Sequence, residues 1–112
     1  MLSGGVLIGK VEGCSVILFD DLISTGSTLL RAAEACHSAG ANTIYAMATH
    51  GLFTTSSALL ESPLVQNIVV SDSIPLPKLE PTFKGGHVHV LDTSRTIASA
   101  LASQYGTQWE VA

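Results

Sequence analysis

Positive charge is scarce in this 112-residue chain: five Lys and Arg stand against nine Asp and Glu, a formal net charge of −4. The five cations, Lys10, Arg31, Lys78, Lys84 and Arg95, are scattered. A general nucleic-acid surface, which neutralises phosphates with clustered bases, is therefore excluded. Polyphosphate chemistry ordinarily needs clustered cations too, and none occur. Charged residues of both signs reach only 12%, against 46% apolar and a mean hydropathy of +0.42. A disordered tail has the reverse composition. Long apolar runs are also missing: none approaches the roughly 18–20 residues that span a bilayer. The opening Met1-Leu-Ser-Gly-Gly lacks the basic segment of a signal peptide. The two cysteines, Cys14 and Cys36, form neither a disulfide framework nor a C-x-x-C pair. A reduced, cytoplasmic protein with no membrane partner is expected, as a single domain over residues 1–112. Its apolar excess then belongs to a core, a subunit interface or a face that has lost its partner.

No internal repeat, heptad or low-complexity tract breaks the chain. Short β-branched runs alternate instead with helical patterns. Ser15-Val-Ile-Leu-Phe19 is a continuous apolar run of strand length, the pattern of a strand covered on both faces. From Ser27 to Ala39 the period changes, with Leu29, Ala32, Ala33 and Cys36 at i, i+3, i+4 and i+7. Gly40 is placed to stop that helix in a left-handed conformation. Thr43–Ala48 reads as a second buried strand, and Thr55–Leu60 as a short helix ended before Pro63. Asn67–Ser71 and His87–Leu91 are further strands, and Ser94–Gln104 returns to helical spacing through Ile97, Ala100 and Leu101. Pro75, Pro77 and Pro81 mark Ile74–Gly86 as an irregular connection. This order predicts right-handed βαβ units: an α/β fold with a mostly parallel sheet of four or five strands and about three helices.

One stretch carries chemistry. Phe19-Asp20-Asp21-Leu22-Ile23-Ser24-Thr25-Gly26-Ser27-Thr28 leaves a strand and enters a helix. In open parallel sheets, ligands bind beyond the carboxyl ends of strands. Ser24, Thr25, Gly26, Ser27 and Thr28 place four hydroxyls and a glycine at the helix N-terminus. Free N–H groups and the positive dipole end suit a phosphate dianion there. Asp20 and Asp21 would repel a phosphate, so they must serve another part of the ligand. Carboxylates accept hydrogen bonds from vicinal hydroxyls and coordinate Mg²⁺. A diol at one end and a phosphate at the other describe ribose 5-phosphate. No Walker loop is present, and no lysine stands ready for a triphosphate. Asp-Asp can also compensate a helix dipole, and Ser/Thr can be plain caps; the full string at a strand-to-helix junction is more specific than either.

Val16-Ile-Leu-Phe-Asp-Asp-Leu-Ile-Ser-Thr-Gly-Ser-Thr28 resembles the phosphoribosyl-pyrophosphate motif of the type I phosphoribosyltransferase fold. Ala48-Thr-His-Gly-Leu-Phe53 and Ile68-Val-Val-Ser-Asp-Ser-Ile-Pro75 resemble stretches of the ribose-phosphate pyrophosphokinases. The likeness runs over roughly Gly9–Ala102. It implies a three-layer αβα domain in which Asp20 and Asp21 bind ribose hydroxyls with Mg²⁺ nearby, and Ser24 to Thr28 hold the 5-phosphate. The implied reaction transfers a diphosphate from ATP to the anomeric hydroxyl of ribose 5-phosphate; no organic cofactor is expected.

Family members are longer, with their ATP site, metal-binding histidine and basic catalytic loop ahead of the point where this chain begins. The expectation is a C-terminal half that binds ribose 5-phosphate or phosphoribosyl pyrophosphate without turning ATP over. Two departures stand out: Ser24 replaces an Asp common in relatives, and Gln104–Ala112 does not resemble the usual tail. Two alternatives share the motif: a phosphoribosyltransferase consuming phosphoribosyl pyrophosphate, and a non-catalytic regulatory or assembly subunit of a synthetase. A sheet this small is expected to pair, as a homo-oligomer or with a missing N-terminal half or full-length synthetase.

The remaining candidates are weaker. His50 follows a strand at the ligand-side edge, where it either lines the cleft or caps the next segment. His87-Val-His89 would present two imidazoles on one strand face, but zinc needs more ligands than that, so a solvated face is expected. His37 should lie at the surface. Cys14 and Cys36 should pack as small apolar side chains. Trp109 suggests a packed tail or an interface anchor.

Overall fold

The computed structural model describes residues 9–54, 58–75 and 88–106. The alternating pattern becomes β1 (Ser15–Ile23), α1 (Ser27–Ser38), β2 (Thr43–Gly51), α2 (Ala58–Glu61), β3 (Asn67–Ser71), β4 (Val88–Leu91) and α3 (Ser94–Tyr105). The four strands form one sheet in the order β1-β2-β3-β4, and every pairing is parallel. The expected α/β architecture is present, with four strands and three helices among the described residues.

Sequential order has a consequence for layering. When each strand adds on the same side of its predecessor, right-handed crossovers carry the connecting helices to one face. Leu29, Ala33 and Cys36 of α1 and Leu59 and Leu60 of α2 accordingly share one core with Ile44, Ala46, Ala48, Ile68 and Val70. The register aligns Val16 with Ile44 and Leu18 with Ala46, so these belong to the same face.

The opposite face corrects one expectation. Ser15–Phe19 is not covered on both faces: Val16 and Leu18 pack against the core, whereas Ile17 is 61% exposed and Phe19 70%. In β2, likewise, Ile44, Ala46 and Ala48 are buried while Thr43, Tyr45 and Met47 are only half-buried. A continuous apolar run is thus a strand with one covered face here. The helix α3 buries no residue, and its apolar positions Ile97 and Leu101 are exposed. Among the described residues, helices cover one face of the sheet only.

The strand β1 runs four residues past the expected Phe19, to Ile23, and β2 three past Ala48, to Gly51; the other boundaries moved little. Thr55–Leu60 is observed as the single turn Ala58–Glu61, with 55–57 outside the described residues, as are 76–87 and 107–112. His87, most of the Ile74–Gly86 connection and Trp109 therefore lie outside the described residues. Gly40 stops α1 as expected. At φ 94° it lets Gly40 N–H reach His37 O and Ala41 N–H reach Cys36 O, both at 3.0 Å. That pair of bonds is a Schellman cap. No helix among the described residues is long and apolar enough to cross a membrane.

The cysteines differ. Cys36 is buried on α1, and burial pushes its thiol pKa up; Cys14 is exposed, against the expectation that both pack inside. Thiolate availability and access set alkylation rates. Iodoacetamide at mildly alkaline pH should therefore add one group to the native chain, at Cys14, and a second only after unfolding. Peptide mass spectrometry reads this; equal labelling of Cys36 in the native state would contradict its burial.

Candidate functional site

Parallel pairing puts the carboxyl ends of all four strands at one edge, so residues distant in sequence meet there. Among them is the motif. The strand β1 continues through Asp20 and Asp21 to Ile23. Strand alternation then sets the two carboxylates on opposite faces. Asp20 is half-buried and its Oδ1 accepts the Asp21 N–H at 2.8 Å; Asp21 is exposed. The pair is two separate acceptors, not a two-carboxylate clamp.

The turn Ser24-Thr25-Gly26 leads directly into α1. Thr25 Oγ1 donates to Ser27 Oγ at 3.2 Å and accepts the Ser27 N–H at 3.3 Å. Leu30 N–H makes the first helical bond, to Gly26 O at 2.9 Å, so the N–H groups of Thr28 and Leu29 precede that ladder. Thr25, Ser27 and Thr28 are exposed around this helix end, while Gly26 is buried. Gly26 needs its lack of a side chain for a reason the sequence did not reveal. Its φ is 79°, and a Cβ there would lie 2.4 Å from Leu59 Cβ. The close approach is to α2, beneath the loop.

A second set of contacts holds the turn, and these escaped the sequence reading. Leu52 N–H and Phe53 N–H donate to Ile23 O at 2.9 and 3.2 Å; Thr54 N–H donates to Ser24 O at 3.1 Å. Thr54 Oγ1 donates to the same Ser24 oxygen at 3.3 Å. Phe53 is buried and adopts φ 48°, a left-handed conformation costly for a bulky residue. Its ring lies against Gly51, where a Cβ would come within 2.6 Å of Phe53 Cε2. A glycine closing a strand, with an aromatic residue two positions later, was the available signal.

Further along the edge, His50 is exposed and its Nδ1 lies 2.7 Å from Ser73 Oγ. Ser71 Oγ donates to Thr49 O at 2.6 Å and accepts the Ser73 N–H at 3.2 Å. Beyond them, Thr93 donates through both its N–H and its hydroxyl to Asp72 Oδ1. Asp92 is held below the ordinary carboxylate range, chiefly by hydrogen bonds from Ser94, whose N–H reaches it at 2.8 Å. No group of three or more His, Cys, Asp or Glu converges among the described residues. His89 is exposed, as expected for a solvated strand face, and its Nε2 meets Asn67 Oδ1 at 3.1 Å. His37 is at the surface.

Oxygen donors on a strand end beside a hydroxyl-rich helix start can hold a small, polar, anionic ligand with hydroxyl groups. Residues 5–107 match the model of the phosphoribosyl synthetase-associated domain family. A protein described as putative ribose-phosphate pyrophosphokinase 2 of Lactococcus lactis is 41% identical over 87% of the chain. A ribose-phosphate pyrophosphokinase of Pasteurella multocida is 43% identical over 85%. The chain spans 29% and 30% of the length of these two relatives, less than the half that the resemblance implied. The crystal structure of phosphoribosylpyrophosphate synthetase from Mycobacterium smegmatis superposes with a TM-score of 0.74 over 88% of this chain and 33% of that one. Identity there is 23%, so the likeness concerns the fold.

Proposed function

The chain belongs to the phosphoribosyl synthetase-associated family as a ribose-phosphate pyrophosphokinase-type domain, and from that premise we propose that it binds ribose 5-phosphate or phosphoribosyl pyrophosphate without producing the latter from ATP. The observation that carries this reading is the exposed hydroxyl turn at the start of α1, directly beyond the two strand-end aspartates. In this reading Thr25, Ser27 and Thr28, with the first N–H groups of α1, take the 5-phosphate. Ser24 lies half-buried at the rim, and Gly26 contributes backbone only. Asp20 and Asp21 accept from ribose hydroxyls, one from each side of the strand.

Either carboxylate alone would suit Mg²⁺, which usually takes one or two protein carboxylates and completes its shell with water and substrate phosphates. Bound there, the ion would offset phosphate charge that the chain's five dispersed cations leave uncompensated. The same shortage supports the non-catalytic part of the proposal, because a transferring diphosphate needs several positive groups at once. The position of this stretch on the C-terminal side of longer relatives is part of the proposal, as is a cytoplasmic setting. So is a partner for the bare sheet face around Ile17 and Phe19, either a second copy or a synthetase chain.

Calorimetric titration tests the proposal. Ribose 5-phosphate should bind, more tightly with Mg²⁺, while ATP gives no heat of binding and no phosphoribosyl pyrophosphate forms from the two. Turnover by the 112-residue chain would overturn the non-catalytic claim. Pyrophosphate release that depends on an added base would instead identify a phosphoribosyltransferase. Co-purification with an intact synthetase, without sugar-phosphate binding, would identify an assembly subunit.

A further inference from the structure

The carboxyl ends of β2 and β3 carry a hydrogen-bonded group that the motif does not include. The segment Ser71-Asp72-Ser73 turns back over the end of β2, and its two hydroxyls converge on one atom. Thr49 O lies 2.6 Å from Ser71 Oγ and 3.3 Å from Ser73 Oγ. Ser73 Oγ in turn lies 2.7 Å from His50 Nδ1. A hydroxyl has one proton and two lone pairs, and a neutral imidazole is a donor at one nitrogen and an acceptor at the other. If the Ser73 proton went to His50, the Ser73–Thr49 contact would have no hydrogen in it. If His50 Nδ1–H donates to Ser73 Oγ, the Ser73 hydroxyl is free to donate to Thr49 O, which has a second lone pair beside the one Ser71 uses. The second arrangement makes both contacts hydrogen bonds.

We propose that Ser73 is a positioning residue that fixes His50 as the Nδ1–H tautomer, so that Nε2 presents a lone pair at the carboxyl edge of the sheet to a ligand hydroxyl. The tautomer decides the ligand group. A bare lone pair accepts from O–H and repels a phosphate oxygen, so His50 reads the sugar and not the phosphate. Its place fits: His50 pairs in register with Leu22, the residue after Asp21, on the strand that leads into the hydroxyl turn. No described residue bonds to His50 Nε2. The inference rests on the sugar-phosphate reading for the identity of the ligand, but not for the tautomer.

The experiment separates the two. Long-range ¹⁵N–¹H NMR spectra of the chain at about pH 8.5, some two units above the ordinary imidazole pKa of about 6.5, report each histidine's tautomer. His50 should show the proton on Nδ1. In Ser73→Ala it should revert to the Nε2–H form that free imidazole side chains prefer, and in Ser73→Thr, which keeps the hydroxyl, it should stay on Nδ1. A proton on Nε2 in the unaltered chain, or a Ser73→Ala spectrum identical to it, overturns the proposal. Ribose 5-phosphate is then added while the amides of residues 24–28 are followed. Shifts at both those amides and His50 Nε2 support it, with affinity about 2- to 10-fold weaker in Ser73→Ala, as loss of one neutral hydrogen bond gives, and restored in Ser73→Thr. Shifts at the amides alone overturn the role of His50 while leaving the phosphate site intact. No shift at the amides overturns the sugar-phosphate reading and with it the assigned ligand of His50.

Discussion

Asp20→Asn and Thr25→Ala are each expected to weaken ribose 5-phosphate binding by about 10- to 100-fold. A hydrogen bond to a charged partner contributes about 1.5–3 kcal/mol, and each 1.4 kcal/mol is about a factor of ten. The two substitutions remove opposite kinds of group. Asp20→Asn keeps the shape and the oxygen that accepts the Asp21 N–H, but loses the charge that draws ribose hydroxyls and Mg²⁺. Thr25→Ala removes an oxygen that also bonds Ser27, so the turn loosens as the phosphate contact goes; Thr25→Ser should retain most of the affinity. The Mg²⁺ enhancement should fall in Asp20→Asn and persist in Thr25→Ala. Calorimetry with and without the ion measures all four quantities. Full affinity in both variants would move the sugar-phosphate site elsewhere.

The second large effect falls on stability. Gly26→Ala introduces a Cβ 2.4 Å from Leu59 Cβ, in a backbone at φ 79° that alanine rarely adopts. Left-handed strain costs about 1–3 kcal/mol, and overpacking a core contact about 1–3 more. A total of about 2–6 kcal/mol lowers the melting temperature of a domain this size by roughly 10–30 °C. The clash is with the first side-chain carbon of Leu59, which alanine also has. Leu59→Ala should therefore not rescue Gly26→Ala, and should add a core loss of its own because the Leu59 side chain is fully buried. Thermal melts followed by circular dichroism decide this, and a Gly26→Ala variant that melts within 2 °C of the parent, as roughly zero cost on that scale would give, would contradict the loop geometry.

Gly26 also shows where the sequence was informative and where it was not. That Gly26 stands at the strand-to-helix junction, among hydroxyls suited to a phosphate, was legible from the sequence. What it approaches was not, since Leu59 lies 33 positions later and reaches it only through the folding of α2 onto α1. The same distinction applies to β1. Its residues announced a strand, and their alternation in the sheet follows from local geometry. That Phe19 stays exposed depends on the handedness of two crossovers further along the chain. Asp20 and Asp21 were readable as ligand groups, yet their division between two faces required knowing that the strand runs on to Ile23. His50 was visible as an edge residue, and its partner Ser73 was not, because a contact across 23 residues leaves no periodic trace.

The bonds that place Ile23 and Ser24 come from the N–H groups of Leu52, Phe53 and Thr54, with a single hydroxyl added. Main-chain donors are common to nineteen of the twenty amino acids. The position of the turn is therefore nearly blind to side-chain identity at 52 and 54, where only proline deletes a donor. Phe53 is constrained separately, by its burial and its left-handed backbone. Residues at 52 and 54 can drift across related sequences while the turn they secure stays in register with the strand before it.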